Sequence, residues 1–232
     1  METLPSPEDK PRAVRDMFDR IAPRYDRVNR VMTGRADQRW RRSLLARLEP
    51  GPSDRILDLA CGTGDFAELA LQYTKRTWGL DFSRGMLEGA QRRGLGRAGL
   101  VQGDALRMPF ADGAFTLAVS GFALRNFASI PPVLAELARV LEPGGRIGLL
   151  EVDRPRNPLL RAGHAVYFDR VVPVLGGLIS RDAGAYRYLP ASASYLPEPR
   201  ELAAMLRAAG FHRLHKRRAM GGAIQLVTAV RE

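Results

Sequence analysis

Asp58-Leu59-Ala60-Cys61-Gly62-Thr63-Gly64-Asp65 follows a short apolar run, Ile56 to Leu59, and precedes a helically spaced segment from Phe66 to Tyr73. Small residues at such a strand-to-helix bend let the backbone approach a bound nucleotide closely. The spacing is Asp-x-Ala-x-Gly-x-Gly. It departs from the dinucleotide fingerprint G-x-G-x-x-G, whose third glycine is replaced by Ala67, a change some dinucleotide sites accept. Taken alone, the bend reads equally well as a tight turn without a ligand.

Outward from this bend the chain alternates short apolar runs with helical segments, the pattern of a mostly parallel sheet covered by helices on both faces. Strands are predicted at Ile56 to Leu59, Thr77 to Leu80, Leu100 to Gln102, Phe115 to Ser120 and Arg146 to Glu151. Helices are predicted at Phe66 to Tyr73, Met86 to Arg93 and Pro132 to Leu141, the last stopped by Glu142-Pro143-Gly144-Gly145. After a further helix at Glu198 to Ala209, the runs Phe211 to Leu214 and Ile224 to Val230 read as an antiparallel pair closing the sheet. Upstream, Val14, Met17, Phe18 and Ile21 share one helical face until Ala22-Pro23 interrupts it, and another helix is predicted around Gln38 to Leu48. Residues 1 to about 11, with three prolines among charges, read as a flexible arm before a single domain over 12–232. Residues 154–197 interrupt the rhythm with an insertion too long for an ordinary connection, expected to cover a substrate.

Three carboxylates fall at the carboxyl ends of three successive strands: Asp58 in the bend, Asp81 after the second strand and Asp104 after the third. Each alone reads as a helix cap or turn former. Together, beside the glycine bend, they lie on the edge where open α/β sheets bind ligands. Asp81 is placed to accept hydrogen bonds from ribose hydroxyls, and Asp104 suits an exocyclic amine of adenine, with Ala105 leaving room for the ring. Gly62, Thr63 and Gly64 in the bend, and Gly121 after the fourth strand, complete the expected cofactor set.

These segments, with Met108-Pro109-Phe110 and Leu141-Glu142-Pro143-Gly144-Gly145, resemble the class I S-adenosylmethionine methyltransferases, whose fold is Rossmann-like α/β. More narrowly, the run from Met17 to Asp26, Phe122-Ala123-Leu124-Arg125-Asn126 and Tyr186-Arg187-Tyr188-Leu189 resemble the menaquinone and ubiquinone C-methyltransferases. The similarity spans about residue 12 to the C-terminus. It implies S-adenosyl-L-methionine as cofactor and methylation of a ring carbon of a prenylated hydroquinone, demethylmenaquinol to menaquinol. It also implies that Arg125 and Asn126 are catalytic, polarising a water or the quinol oxygen, with Tyr25, Tyr186 and Tyr188 at the substrate. Ring carbon is a poor nucleophile until a quinol hydroxyl loses its proton, so a base or an oxyanion stabiliser is required. Because arginine stays protonated, electrostatic stabilisation suits Arg125 better than proton abstraction. The plainer readings are that Arg125 pairs with a carboxylate and that the tyrosines are packing aromatics. Position 60 holds Ala where many methyltransferases have Gly, and Ala191-Ser192-Ala193 stands where the narrower family often shows an acid followed by Ser-Ile.

Composition bounds the alternatives. The chain has 232 residues, 45% apolar and 26% charged, enough to bury a core. Its single cysteine, Cys61, excludes an internal disulfide framework, and His164, His212 and His215 show no metal spacing, so no metal is expected. Lacking the basic and then apolar run of a signal peptide, the chain is expected in the cytoplasm. The net charge of +11, carried almost wholly by arginine, reads either as compositional habit or as an attraction to polyanions. No helix-turn-helix or zinc spacing supports nucleic acid as that polyanion. Peripheral contact with an anionic membrane surface is expected, because a prenylated quinol resides in the bilayer, and a homodimer is held open. The rival readings are a methyltransferase for a ubiquinone precursor or another small acceptor, a basic nucleic-acid-binding module, and a scaffold that binds cofactor without turnover.

Overall fold

A computed structural model describes residues 5–6, 8–180 and 182–232, excluding the side chains of Asp169, Ala183 and Leu189. Helix α1 (Lys10–Ile21) has Pro11 in its first turn, where the missing N–H costs nothing, and buries Met17 and Ile21. It thus begins within the span expected as a flexible arm, and the rest of that span lies partly outside the described residues. Pro23 breaks the helix into a 3₁₀ turn (Ala22–Arg24), but the chain resumes as α2 (Tyr25–Thr33), a helix the sequence reading did not predict. Gly34, at φ 56°, ends it in the left-handed region that glycine adopts without cost. Helix α3 (Ala36–Arg47) leads into the sheet.

The parallel core then assembles in the expected order: β1 (Ile56–Leu59), α4 (Asp65–Ala70), β2 (Thr77–Asp81), α5 (Arg84–Arg92), β3 (Gly99–Gln102), β4 (Phe115–Gly121), α6 (Ile130–Val140) and β5 (Leu141–Val152). All four residues of β1 are buried, as expected for a central strand covered on both faces. Side-chain alternation sends Leu57 and Leu59 into a cluster with Val133, Leu134 and Leu137 of α6, and Ile56 into another with Leu44 and Leu45 of α3. Strand β5 begins earlier than predicted. Leu141 pairs with Phe115 before a register shift, so Glu142-Pro143-Gly144-Gly145 is an irregularity within the strand rather than a loop before it.

The insertion is helical, with α7 (Pro158–Val166), a π turn (Tyr167–Val171), α8 (Val172–Ser180) and α9 (Ala183–Ser192), followed by α10 (Pro199–Ala208). Strands β6 (Phe211–Ala219) and β7 (Ile224–Arg231) close the sheet. Among the described residues it has seven strands in the order β3-β2-β1-β4-β5-β7-β6. Strand β7 runs antiparallel to both neighbours, which is the closing arrangement predicted. The order reverses between β1 and β4, so a crevice opens at the carboxyl ends of these strands.

Candidate active site

A cleft occupies that crevice. Leu59, Ala60 and Gly62 line it after β1, Asp81 and Ser83 after β2, Asp104 and Ala105 after β3, and Gly121 and Phe122 after β4. Two non-glycine residues at this edge, Ala60 (φ 53°) and Phe122 (φ 60°), sit in the left-handed region, strain of the kind that gathers at ligand sites. Ala60 thus occupies a conformation that glycine would adopt more easily. A Cβ on Gly121 would come within 2.9 Å of the Phe66 ring, so only glycine keeps the backbone here.

Asp81 organises the cleft. Its Oδ2 accepts from Gly62 N–H at 2.7 Å and its Oδ1 from Ser83 N–H at 2.8 Å, tying the first bend to the start of α5. Burial pushes its carboxyl up to about 6, with the Asp19 charge adding to the rise and the two N–H bonds opposing it. Asp19, on α1, accepts from Ser83 Oγ at 2.6 Å and Gly85 N–H at 2.8 Å, so it draws α1 over the cleft. Asp104 is exposed and accepts from Leu106 N–H at 2.9 Å.

The other predicted cofactor residues shape the bend from behind. Asp58 does not line the cleft: it is 1% exposed and accepts from Ala67 N–H of α4 at 2.9 Å, and burial pushes it up to about 8. Thr63 donates to Asp26 of α2, and its carbonyl accepts from Arg93 at 3.0 Å. Gly64 (φ 87°) starts α4, and a Cβ there would lie 2.3 Å from Leu95. Burial pushes the Cys61 thiol well up, away from a reactive thiolate.

A second cavity, largely apolar, adjoins the first and shares Phe18, Tyr25 and Phe122 with it. Trp40, Phe168, Val172, Met220 and Ile224 form its apolar wall, and Arg41, Arg125 and Asp37 its charged part. Both arginines are 6% exposed. Arg125 pairs with Glu151 of β5, which also accepts from Val152 N–H at 2.9 Å. Arg41 donates to Asp37 at 2.8 Å, lies 3.5 Å from Asp65, and sits 5.4 Å from the Phe122 ring and 5.5 Å from that of Phe66. Burial alone would raise Asp65, but the Arg41 and Arg93 charges outweigh it and hold the carboxyl below its usual range. Among the described residues, Arg41 Nε, Arg125 Nε, Glu151 Oε2 and Asn126 Oδ1 are buried without hydrogen-bond partners. Asn126 lines the first cleft and its amide donates to Phe122 O at 3.4 Å.

Of the three predicted substrate tyrosines, the structure brings only Tyr25 to the junction of the cavities. Tyr186 is 1% exposed and packs on Gly176 of α8, where a Cβ would come within 2.3 Å of its ring. Tyr188 faces a groove beside α1. Neither lines the apolar cavity, and both hydroxyls are buried without partners. The sequence reading missed Phe18, Asp19, Trp40, Arg41 and Glu151 as site residues. The first two stand inside the quoted Met17-to-Asp26 run, whereas nothing in the pattern Arg39-Trp40-Arg41-Arg42 separates a buried arginine from surface ones.

Among the described residues no group of three or more His, Cys, Asp or Glu side chains is placed to hold a metal. Residues 6–231 match the model of the ubiE/COQ5 methyltransferase family. A demethylmenaquinone methyltransferase of Roseiflexus sp. (strain RS-1) is 42% identical over 231 residues, covering 98% of this chain and 97% of that protein. One from Thermus thermophilus is 48% identical over 204 residues, covering 84% of this chain and 91% of the relative. Among solved structures, an S-adenosylmethionine-dependent methyltransferase from Thermotoga maritima superposes with a TM-score of 0.67, covering 94% of this chain and 100% of the other. At 20% identity that likeness is one of fold.

Proposed function

The chain belongs to the ubiE/COQ5 methyltransferase family, and from that premise we propose that it methylates a ring carbon of a prenylated hydroquinone, demethylmenaquinol, with S-adenosylmethionine as methyl donor. The observation that carries this reading is the shared wall of Phe18, Tyr25 and Phe122, which sets a nucleotide-type cleft against an apolar cavity holding two buried arginines. Transfer by direct displacement needs donor and acceptor in adjoining sites with a nearly linear path between them, and positioning supplies much of the rate.

The cleft fits the cofactor. Each Asp81 oxygen already accepts one backbone N–H and keeps lone-pair capacity for a ribose hydroxyl. A carboxyl that burial raises to about 6 is also one that two hydroxyl donors would pull back toward ionisation. Asp104 and Ala105 would hold the adenine end, Gly62 and Gly121 leave room for close approach, and Asp58, Thr63 and Gly64 fix the bend. When bound, the cofactor supplies an electrophilic methyl on a sulfonium.

On the acceptor side, a quinol hydroxyl would give its proton to the water that Asn126 orients, and Arg125 would stabilise the oxyanion left behind, which pushes electron density into the ring carbon. The ring C–H proton would leave to solvent once that carbon is methylated. Glu151 holds that guanidinium, and the aromatic wall excludes water. Asn126, near the shared wall, would orient a water, or the quinol hydroxyl before it ionises, by accepting its hydrogen bond through the amide oxygen. Tyr186 and Tyr188 act through the packing of α9, which backs α8 beside the cavity.

Among the described residues no helix is long and apolar enough to cross a membrane. We propose instead that helices α7 and α8 dock on an anionic bilayer surface. They expose Leu159 (83%) and Leu178 (73%), and Met220 lines the apolar cavity while 62% exposed, so the acceptor would enter from that side. Arg154, Arg156, Arg161 and Arg200 line a neighbouring groove and supply the complementary charge. Covering of this face by a second copy is the alternative.

The deciding experiment is transfer of a radiolabelled methyl to demethylmenaquinol under reducing conditions, with a ubiquinone precursor in parallel. Faster methylation of the ubiquinone precursor would move the acceptor to the other branch. No transfer to any quinol would overturn the reading.

A further inference from the structure

Arg41 is held as firmly as any charge in this chain, yet its bonding is incomplete. Its terminal nitrogens face Asp37 and Asp65, its guanidinium carbon lies 5.5 Å from the Phe66 ring and 5.4 Å from the Phe122 ring, its Nε is buried without a partner, and its side chain lines the apolar cavity. Arg125, from the turn after β4, presents the same arrangement, with one carboxylate partner and a free buried Nε. The two arginines stand on separate supports, α3 and the turn after β4, both line the cavity, and each leaves a buried N–H donor unpaired, which is costly. The charges of both bear on the Tyr25 hydroxyl at the junction with the cofactor cleft, so they serve one end of the cavity.

We propose that Arg41 is a second substrate-recognition residue, donating its Nε–H to one ring oxygen of the acceptor while Arg125 serves the other. This rests on the hydroquinone reading of the cavity and sharpens it, because a hydroquinone carries two ring oxygens where a phenol carries one. The cavity's two guanidinium groups would thus select a dioxygenated ring. The anchoring of Arg41 also reaches the cofactor bend. Asp65, its partner, is the first residue of α4 and is gripped by Arg93, which donates to Thr63 O. A ring oxygen seated on Arg41 therefore bears on the same element that shapes the cofactor cleft.

The test is direct binding, read by quenching of tryptophan fluorescence, since Trp40 lines the cavity. Two probes are compared under reducing conditions: 1,4-dihydroxynaphthalene, with two ring oxygens, and 1-naphthol, with one. The unmodified protein is expected to bind the diol about 10-fold more tightly, the scale of one hydrogen bond to a charged donor. Arg41→Met is expected to erase that preference. Arg41→Lys, which keeps a cation for Asp37 and Asp65 but has no Nε–H fork, is expected to erase it in a protein that still folds, with a lowered melting temperature because lysine does not reproduce the paired guanidinium. A purely structural Arg41 would weaken both probes alike. Preserved discrimination in folded Arg41→Lys would overturn the proposal. Failure of the unmodified protein to bind either probe would instead overturn the quinol reading on which it stands.

Discussion

Arg125 and Glu151 form an ion pair in which both side chains are almost fully buried, and each keeps one polar atom free of partners, Nε and Oε2. Arg125 also lines the apolar cavity, which puts a fixed positive charge where an oxyanion stabiliser is required before its substrate arrives.

Arg125→Lys is therefore expected to lower kcat about 10²-fold or more, leaving cofactor affinity unchanged within roughly twofold. Steady-state kinetics combined with calorimetry separates the two. Glu151→Ala is expected to destabilise the fold by about 3–5 kcal/mol, because it strands a buried guanidinium. An Arg125→Lys enzyme that turns over at the parent rate would remove Arg125 from the chemistry.

Asp81 gives cofactor binding a pH signature. Its carboxyl sits at about 6, raised by burial and by Asp19, while its backbone donors and any ribose hydroxyl prefer the ionised form. Binding to the anion means that affinity is full above this value and falls as pH drops through it, by at most about tenfold per pH unit. Calorimetric titrations from pH 5 to 8 should show this loss, accompanied by proton release near pH 6. Asp81→Asn should bind more weakly throughout and show a flat profile.

Asp58 acts on stability, and in the opposite direction. Its folded value, about 8, lies above the unfolded 3.8, so the acid form is favoured by folding. Stability conferred by that preference is complete below the unfolded value and is lost as pH rises toward 8, at no more than about 1.4 kcal/mol per pH unit. Melting temperatures should fall between pH 5 and 8, and Asp58→Asn, which still accepts from Ala67 N–H through its amide oxygen, should remove most of the slope. An unaltered slope in Asp58→Asn would place the titration elsewhere.

The sheet was legible in the sequence because parallel strands buried on both faces read as short apolar runs, and Ile56–Leu59 matches β1 at both ends. Asp81 stood out as a candidate only in company with Asp58, Asp104 and the glycine bend, because alone a carboxylate there ties turns together, as its bonds to Gly62 and Ser83 do. The insertion was not legible. Its helices α7 and α8 carry apolar residues that remain exposed, so Leu159 and Leu178 look like core positions in a string of letters. Tyr186 illustrates the converse error. A motif tyrosine was expected at the substrate, and packing on Gly176 claimed it instead. Arg41 was hidden among its neighbours Arg39 and Arg42, because burial of a long cation depends on the carboxylates of α3 and α4, which only the fold brings together.

The exposed leucines supply the last expectation. Burying a leucine side chain yields about 1.5–3 kcal/mol, so two leucines inserted together account for a partition change of about 100-fold or more. Leu159→Asp with Leu178→Asp should abolish co-sedimentation with vesicles containing anionic lipid, without altering melting temperature, since both positions face outward. Raised salt should weaken the parent's binding, because the arginines beside the site act over a Debye length of about 10 Å at 0.1 M. Methylation of a long-chain quinol in vesicles should fall in step, whereas a soluble short-chain quinol should be methylated at the parent rate. If the substitutions leave co-sedimentation unchanged but convert a dimer to a monomer in light scattering, this face belongs to a second copy of the chain rather than to the bilayer.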